Sequence, residues 1–209
     1  MDGVISDTQS LHANIESEVL ARWGIQRTPA EITRHYAGVK DDEMFQEIFS
    51  QHRIADSFEK AIQIKWELMD RAGSKAIIAI PGVIVLIDRL KKNGFRLALA
   101  SSSKRAFIDV VLSTLNLIKE FEVIVSGDEV RRGKPDPAIF LLAAKALNVS
   151  PGDCLVIEDG LRGMEAARRA GMRCIGFDRD AVLGETPAEL MVRDLKQISL
   201  RVIQQLDKK

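Results

Sequence analysis

The sequence predicts an α/β fold, a core of parallel strands covered by helices, carrying an all-helical block inserted near its start. Three observations predict it. Beyond residue 77, short apolar runs alternate with amphipathic stretches of helical period. Each of those runs is continuously apolar, as expected of strands buried on both faces of a parallel sheet. Residues 8–76 show helical periodicity and no strand signal. The expected organisation is therefore a core from residues 1–7 and 77–209, with residues 8–76 as a separate helical unit.

The opening residues 1–7 are short and turn-like. In the next helix Leu11, Ile15, Val19 and Leu20 share one face, and Trp23-Gly24 ends it. Thr28-Pro29-Ala30-Glu31 reads as a helix start, with Thr28 as cap, Pro29 in the first turn and Glu31 three residues after the cap. Met44, Phe45, Ile48 and Phe49 form a second apolar stripe, and Ile62, Trp66 and Met69 a third. Pro81-Gly82 introduces a helix over 83–92 that stops at Asn93-Gly94. Strands are expected at 97–100, 123–125, 155–157 and 174–177. Between them fall a helix through Val110 and Leu115, a helix over 137–147 capped by Asp136, and a helix over 163–170 closed by Gly171. Cys154 and Cys174, the only cysteines, are expected to be buried in strands and not to form a disulfide framework.

Composition narrows the partners. The 30 basic and 30 acidic residues balance, and no basic block stands out, so neither nucleic acid nor an anionic membrane is expected. A small anionic ligand stays open, because a local site can be positive in a neutral chain. The start MDGVISDTQ has no cationic or apolar leader character, and no apolar run approaches the roughly 18 residues of a membrane span. A cytoplasmic protein is the expectation.

In open parallel sheets, ligands bind beyond the carboxyl ends of the strands. Here the first strand is followed by Ser101, Ser102, Ser103 and Lys104. The second leads to a loop carrying Lys134 in Gly-Lys-Pro-Asp-Pro, and the third runs into Glu158-Asp159. Hydroxyls and a lysine can hold phosphate oxygens, and paired carboxylates can hold a hard divalent cation. Taken singly each has an ordinary reading: a serine turn, a solvated loop lysine, acidic residues at a helix start. Their order, each at a strand end, is what points to a site.

These residues resemble the haloacid dehalogenase superfamily, in its beta-phosphoglucomutase-like and phosphoglycolate-phosphatase-like branch, over essentially the whole chain. Asp2-Gly3-Val4-Ile5-Ser6-Asp7-Thr8 resembles the tail of the first family motif, an apolar strand followed by Asp-x-Asp-Gly-Val-x-x-Asp-Ser/Thr. Ser101, Lys134 and Glu158-Asp159 match the second, third and fourth motifs, and the helical block sits where this branch inserts its cap domain. The resemblance implies a Rossmann-like core and a Mg²⁺-dependent phosphohydrolase for a small phosphorylated metabolite, working through an aspartyl-phosphate. It implies Asp2 as general acid and base, and Ser101 and Lys134 as phosphoryl-binding groups. Mg²⁺ would be held by the main-chain carbonyl of Asp2 and by Glu158 and Asp159. Ser102, Ser103 and Lys104 would add contacts. His12 falls where relatives place a hinge histidine; a surface-helix histidine is its other reading. Gly38 and Lys40 fall in the cap loop, where a sugar phosphomutase carries an arginine for a second phosphate; Asp41 stands at that place.

The chain departs from the pattern at its start. The motif places the nucleophilic aspartate one residue before Met1, and the strand that carries it, central in the family's sheet, is missing as well. The expectation is that the natural protein begins upstream, the Met of Asp-Met-Asp-Gly having been read as a start; a fragment and a true loss are the alternatives. A phosphomutase and a catalytically inactive binding module remain as competing functions, and the chain as written is expected to be inactive.

Overall fold

A computed structural model describes residues 1–207. The first half is helical: α1 (Gln9–Ala21), α2 (Pro29–Tyr36), α3 (Asp41–Gln51) and α4 (Phe58–Ala72). Their apolar stripes meet in one cluster around Val19, Leu20, Phe45, Ile48 and Met69. The capping box at α2 forms as the sequence predicts, with the Thr28 hydroxyl accepting from the Glu31 amide and the Glu31 carboxylate accepting from the Thr28 amide.

The second half runs α5 (Val83–Lys92), β1 (Ala98–Ala100), α6 (Arg105–Thr114), β2 (Val123–Val125), α7 (Ala138–Leu147), β3 (Leu155–Glu158), α8 (Leu161–Arg169), β4 (Arg173–Phe177), β5 (Leu190–Val192) and α9 (Leu200–Asp207). Every strand pair is parallel. Alternate residues of each strand face opposite layers, as the two-residue period requires. Leu99, Ile175, Phe177 and Val192 pack on one face with α5, α6 and α9. Val125, Val156 and Cys174 pack on the other with α7 and α8.

The strands do not form one sheet. β1 pairs with β2, and β3, β4 and β5 pair in that order, with no ladder between β1 and β3. Between these halves lies a cavity of about 450 Å³, lined by Leu97–Ala100 and Leu155–Glu158 backbone neighbours together with Met1, Val4 and Ile5. Residues 1–7 do not enter it as a strand. They turn back on themselves, the Val4, Ile5 and Ser6 amides all donating to the Met1 carbonyl.

Four details differ from the sequence reading. The helix expected from Gly163 begins at Leu161. The helix expected from Pro137 begins at Ala138, whose amide is capped by the Asp136 carboxylate at 2.9 Å. Cys154 precedes β3 and is half-buried, while Cys174 is buried in β4; both are free thiols. β5 and α9 lie where no element is expected; unlike β1 and β2, whose residues are all buried or half-buried, β5 exposes its central Met191. Among the described residues, no helix is long and apolar enough to cross a membrane.

Candidate active site

The carboxyl ends of β1 and β3 converge on the turn that holds Asp2. Ser103 donates its hydroxyl to Asp2 Oδ2 at 2.8 Å, and Ser101 Oγ lies 3.4 Å from the same oxygen. Thr8 donates to Asp2 Oδ1 at 2.5 Å and is itself 2.8 Å from the Ser6 hydroxyl. The serine run is held against the loop after β2, where the Gly127 amide donates to the Ser103 carbonyl.

At the end of β3, the buried Lys134 ammonium donates to Glu158 Oε2 at 2.7 Å. The other Glu158 oxygen accepts the Asp159 and Gly160 amides at 3.1 and 3.0 Å. The Lys134 ammonium rests 4.8 Å from the centre of the Phe140 ring. Asp159 meets the first turn directly. Gly3 has φ +76°, and a Cβ built there would lie 1.9 Å from Asp159 Oδ2. Only glycine lets the Asp2 turn approach the acidic pair this closely.

Burial and neighbours split these carboxyls. Burial raises Asp2, but His12, the amino group of Met1 and the Thr8 hydroxyl outweigh it and hold the group well below the ordinary value. Burial raises Glu158, and Lys134, the Met1 amino group and the Gly160 amide bring it below the ordinary value. Asp159 goes the other way: burial and the adjacent Glu158 charge push its carboxyl well up. A buried anion held beside another anion is a position that a cation stabilises. Among the described residues no three His, Cys, Asp or Glu side chains cluster as a self-sufficient metal cage. Asp159, Glu158 and the Asp2 carbonyl are hard oxygen donors, and Mg²⁺ commonly takes only one or two carboxylates with water and phosphate completing its shell. The donor set fits such an ion.

Asp2, Ser101, Ser103, Lys134, Glu158 and Asp159 thus line one pocket of about 50 Å³, together with His12, Gly38 and Ser102. Ser102 donates to the Gly38 carbonyl at 2.5 Å, joining the serine loop to the helical segment. Two residues singled out in the sequence stand at the margin. Lys40 donates to the Val130 carbonyl at 3.1 Å, and Lys104 sits 5.1 Å from the centre of the Trp66 ring. His12 lies 3.6 Å from Asp2 Oδ1, packed edge-on against Trp66 and Phe107. The sequence reading missed Thr8, Glu16 and Lys65, which also sit at or behind this pocket. A lysine within the apolar stripe of α4, beside Trp66, was the available signal. The larger cavity between β1 and β3 is apolar and is not where the polar groups meet.

The profile of the haloacid dehalogenase-like hydrolase family matches residues 1–177. A phosphorylated carbohydrates phosphatase of Thermotoga maritima is 35% identical over 175 residues, covering 84% of this chain and 81% of that protein. The beta-phosphoglucomutase of Bacillus subtilis is 32% identical over 213 residues, covering 97% and 91%. The crystal structure of the Clostridium difficile beta-phosphoglucomutase superposes with a TM-score of 0.82 at 28% identity, covering 99% of this chain and 94% of that one.

The chain belongs to the haloacid dehalogenase-like hydrolase family. Membership makes it a relative of phosphatases and phosphomutases that act on phosphorylated sugars. It also gives a common frame to the polar residues at the strand ends, which in this haloacid dehalogenase-like chain come from four separated stretches of sequence.

Proposed function

We propose that this chain is the framework of a Mg²⁺-dependent phosphohydrolase for a small phosphorylated metabolite, of sugar phosphate or phosphoglycolate type, acting through an aspartyl-phosphate. The observation that carries this reading is the convergence of Asp2, Ser101, Lys134 and Asp159 on one pocket.

Ser101 and Lys134 bind the phosphoryl oxygens, one by a hydroxyl donor and the other by charge. Asp2, held ionised despite burial by His12, the Met1 amino group and Thr8, is the base that takes a proton from the attacking water. It can protonate a leaving oxygen only where substrate binding raises it enough to carry that proton. Thr8 and Ser103 fix its two oxygens, so the carboxyl is aimed before substrate arrives. Glu158 and Asp159, with the Asp2 carbonyl, would hold Mg²⁺, which when bound neutralises phosphoryl charge. The helical block 8–76 acts as a cap over this pocket.

We place the nucleophile on an extended apolar strand that fills the gap between β1 and β3. Both edges there run parallel, and the gap is lined by apolar residues of the two strands. A strand in that gap would end beside Asp2, at the same rim as Ser101 and Glu158.

The test is direct. A version with an apolar strand ending in Asp joined ahead of Met1 should hydrolyse p-nitrophenyl phosphate or sugar phosphates only with Mg²⁺. The chain beginning at Met1 should show no metal-dependent turnover above background. Saturable turnover from the latter would mean the nucleophile is misplaced.

A further inference from the structure

The helical side of the pocket carries a second charged group that the proposed chemistry does not use. Lys65 on α4 is 1% exposed. Its ammonium donates to Glu16 Oε1 on α1 at 2.5 Å and also to Asp41 Oδ1 at the start of α3. Asp41 is fixed from its other oxygen by the Trp66 indole N–H at 2.8 Å. Glu16, Asp41 and Lys65 all line the same pocket as Asp2 and Lys134. Two carboxylates therefore enclose one ammonium on the part of the wall built by the helical block. Beside them, buried His12 Nε2 faces Asp2 Oδ1 at 3.6 Å and has no closer hydrogen-bond partner. Its side chain is 9% exposed, and Glu16 lies 3.9 Å from the other ring nitrogen.

We propose that Glu16 and Asp41, by enclosing Lys65, make this wall a leaving-group subsite that admits an uncharged, hydroxyl-bearing group and rejects a second phosphate. The inference rests on the phosphohydrolase reading above and names the substrate class within it: monophosphate esters of polyhydroxy alcohols, not bisphosphates. A dianionic phosphate on this wall would meet two carboxylates against one ammonium already engaged by both. Burial keeps that repulsion little screened. An uncharged hydroxyl meets no such penalty and can donate to either carboxylate.

Calorimetric titration of the protein in Mg²⁺ with inorganic phosphate, glucose 6-phosphate and glucose 1,6-bisphosphate tests this. Phosphate and the monophosphate should bind, with the bisphosphate weaker by roughly tenfold or more. Asp41→Asn and Glu16→Gln each remove one negative charge from different helices. Each should narrow that ratio by a similar factor while leaving inorganic phosphate binding in place. The ratio in the unaltered protein stands by itself if either variant fails to fold. Bisphosphate binding equal to monophosphate binding would overturn the subsite, as would an unchanged ratio in folded variants. Failure to bind inorganic phosphate at all would instead overturn the phosphohydrolase reading on which it rests.

Discussion

At Asp159 burial of the carboxyl and the adjacent Glu158 charge push the group up. Binding a cation there requires the ionised form, so Mg²⁺ uptake should release a proton. Mg²⁺ affinity should climb with pH until the raised value is passed. Calorimetry in buffers of different ionisation enthalpy measures that release; a proton count of zero across the range would contradict the assignment of Asp159. The Asp41–Lys65 pair makes a different prediction. Burial alone would raise Asp41, but Lys65 and the Trp66 indole hold it below its ordinary 3.8. A depressed carboxyl contributes stability that is present above the unfolded value and is lost as pH falls through the folded one. Removing one partner of a buried pair typically costs about 3–5 kcal/mol. Asp41→Ala should therefore lower stability by about that much near neutral pH, and the difference should shrink below pH 3.8. Urea unfolding at several pH values reads both. Ser101, Lys134, Glu158 and Asp159 were legible in the sequence because each follows a strand signal, and Asp2 through the resemblance of Asp2-Gly3-Val4 to the first family motif. Lys65 and Glu16 were not, since their partners lie on other helices and no local pattern announces a tertiary ion pair.

Elements rather than single residues set the distances around the acidic pair. α8 begins immediately after Glu158-Asp159, and Gly163 in its first turn lies against the Glu158 side chain. A Cβ there would sit 2.1 Å from Glu158 Cδ. Gly163→Ala should favour the helix intrinsically by up to ~1 kcal/mol, yet it must displace the carboxylate that Lys134 holds. We expect at least a tenfold loss of Mg²⁺ affinity by titration, with little loss of helicity; unchanged affinity would show that Glu158 is not a ligand. Elements with long periods were legible: the four helices of the first half, and the helix over Val83–Lys92, fall where their stripes and stop signals place them. β5 and the helix after it were not: Leu190–Val192 lies at the edge of its sheet with Met191 exposed, so it lacks the run of buried and half-buried residues that marks the other strands.

Across the whole molecule, the parallel core was legible as a class, and its strands pair in two sheets, β1–β2 and β3–β4–β5. The apolar cavity of about 450 Å³ between β1 and β3 should make the core loose. Joining an apolar strand ahead of Met1 should raise the denaturation midpoint and reduce binding of a hydrophobic dye. Equal midpoints with and without the strand would mean the gap is not its seat. The pocket of about 50 Å³ holds little more than one or two waters, far less than a phosphorylated sugar. Substrate entry on this account requires the helical segment to lift from the core, breaking the contact of Ser102 with the Gly38 carbonyl. Binding of inorganic phosphate to the chain beginning at Met1 tests the central claim most directly, since it asks only whether the separated polar residues form one site. Phosphate should bind only with Mg²⁺ present, and Lys134→Ala and Asp159→Asn should each abolish binding; phosphate binding that needs no cation, or that survives both substitutions, would contradict it.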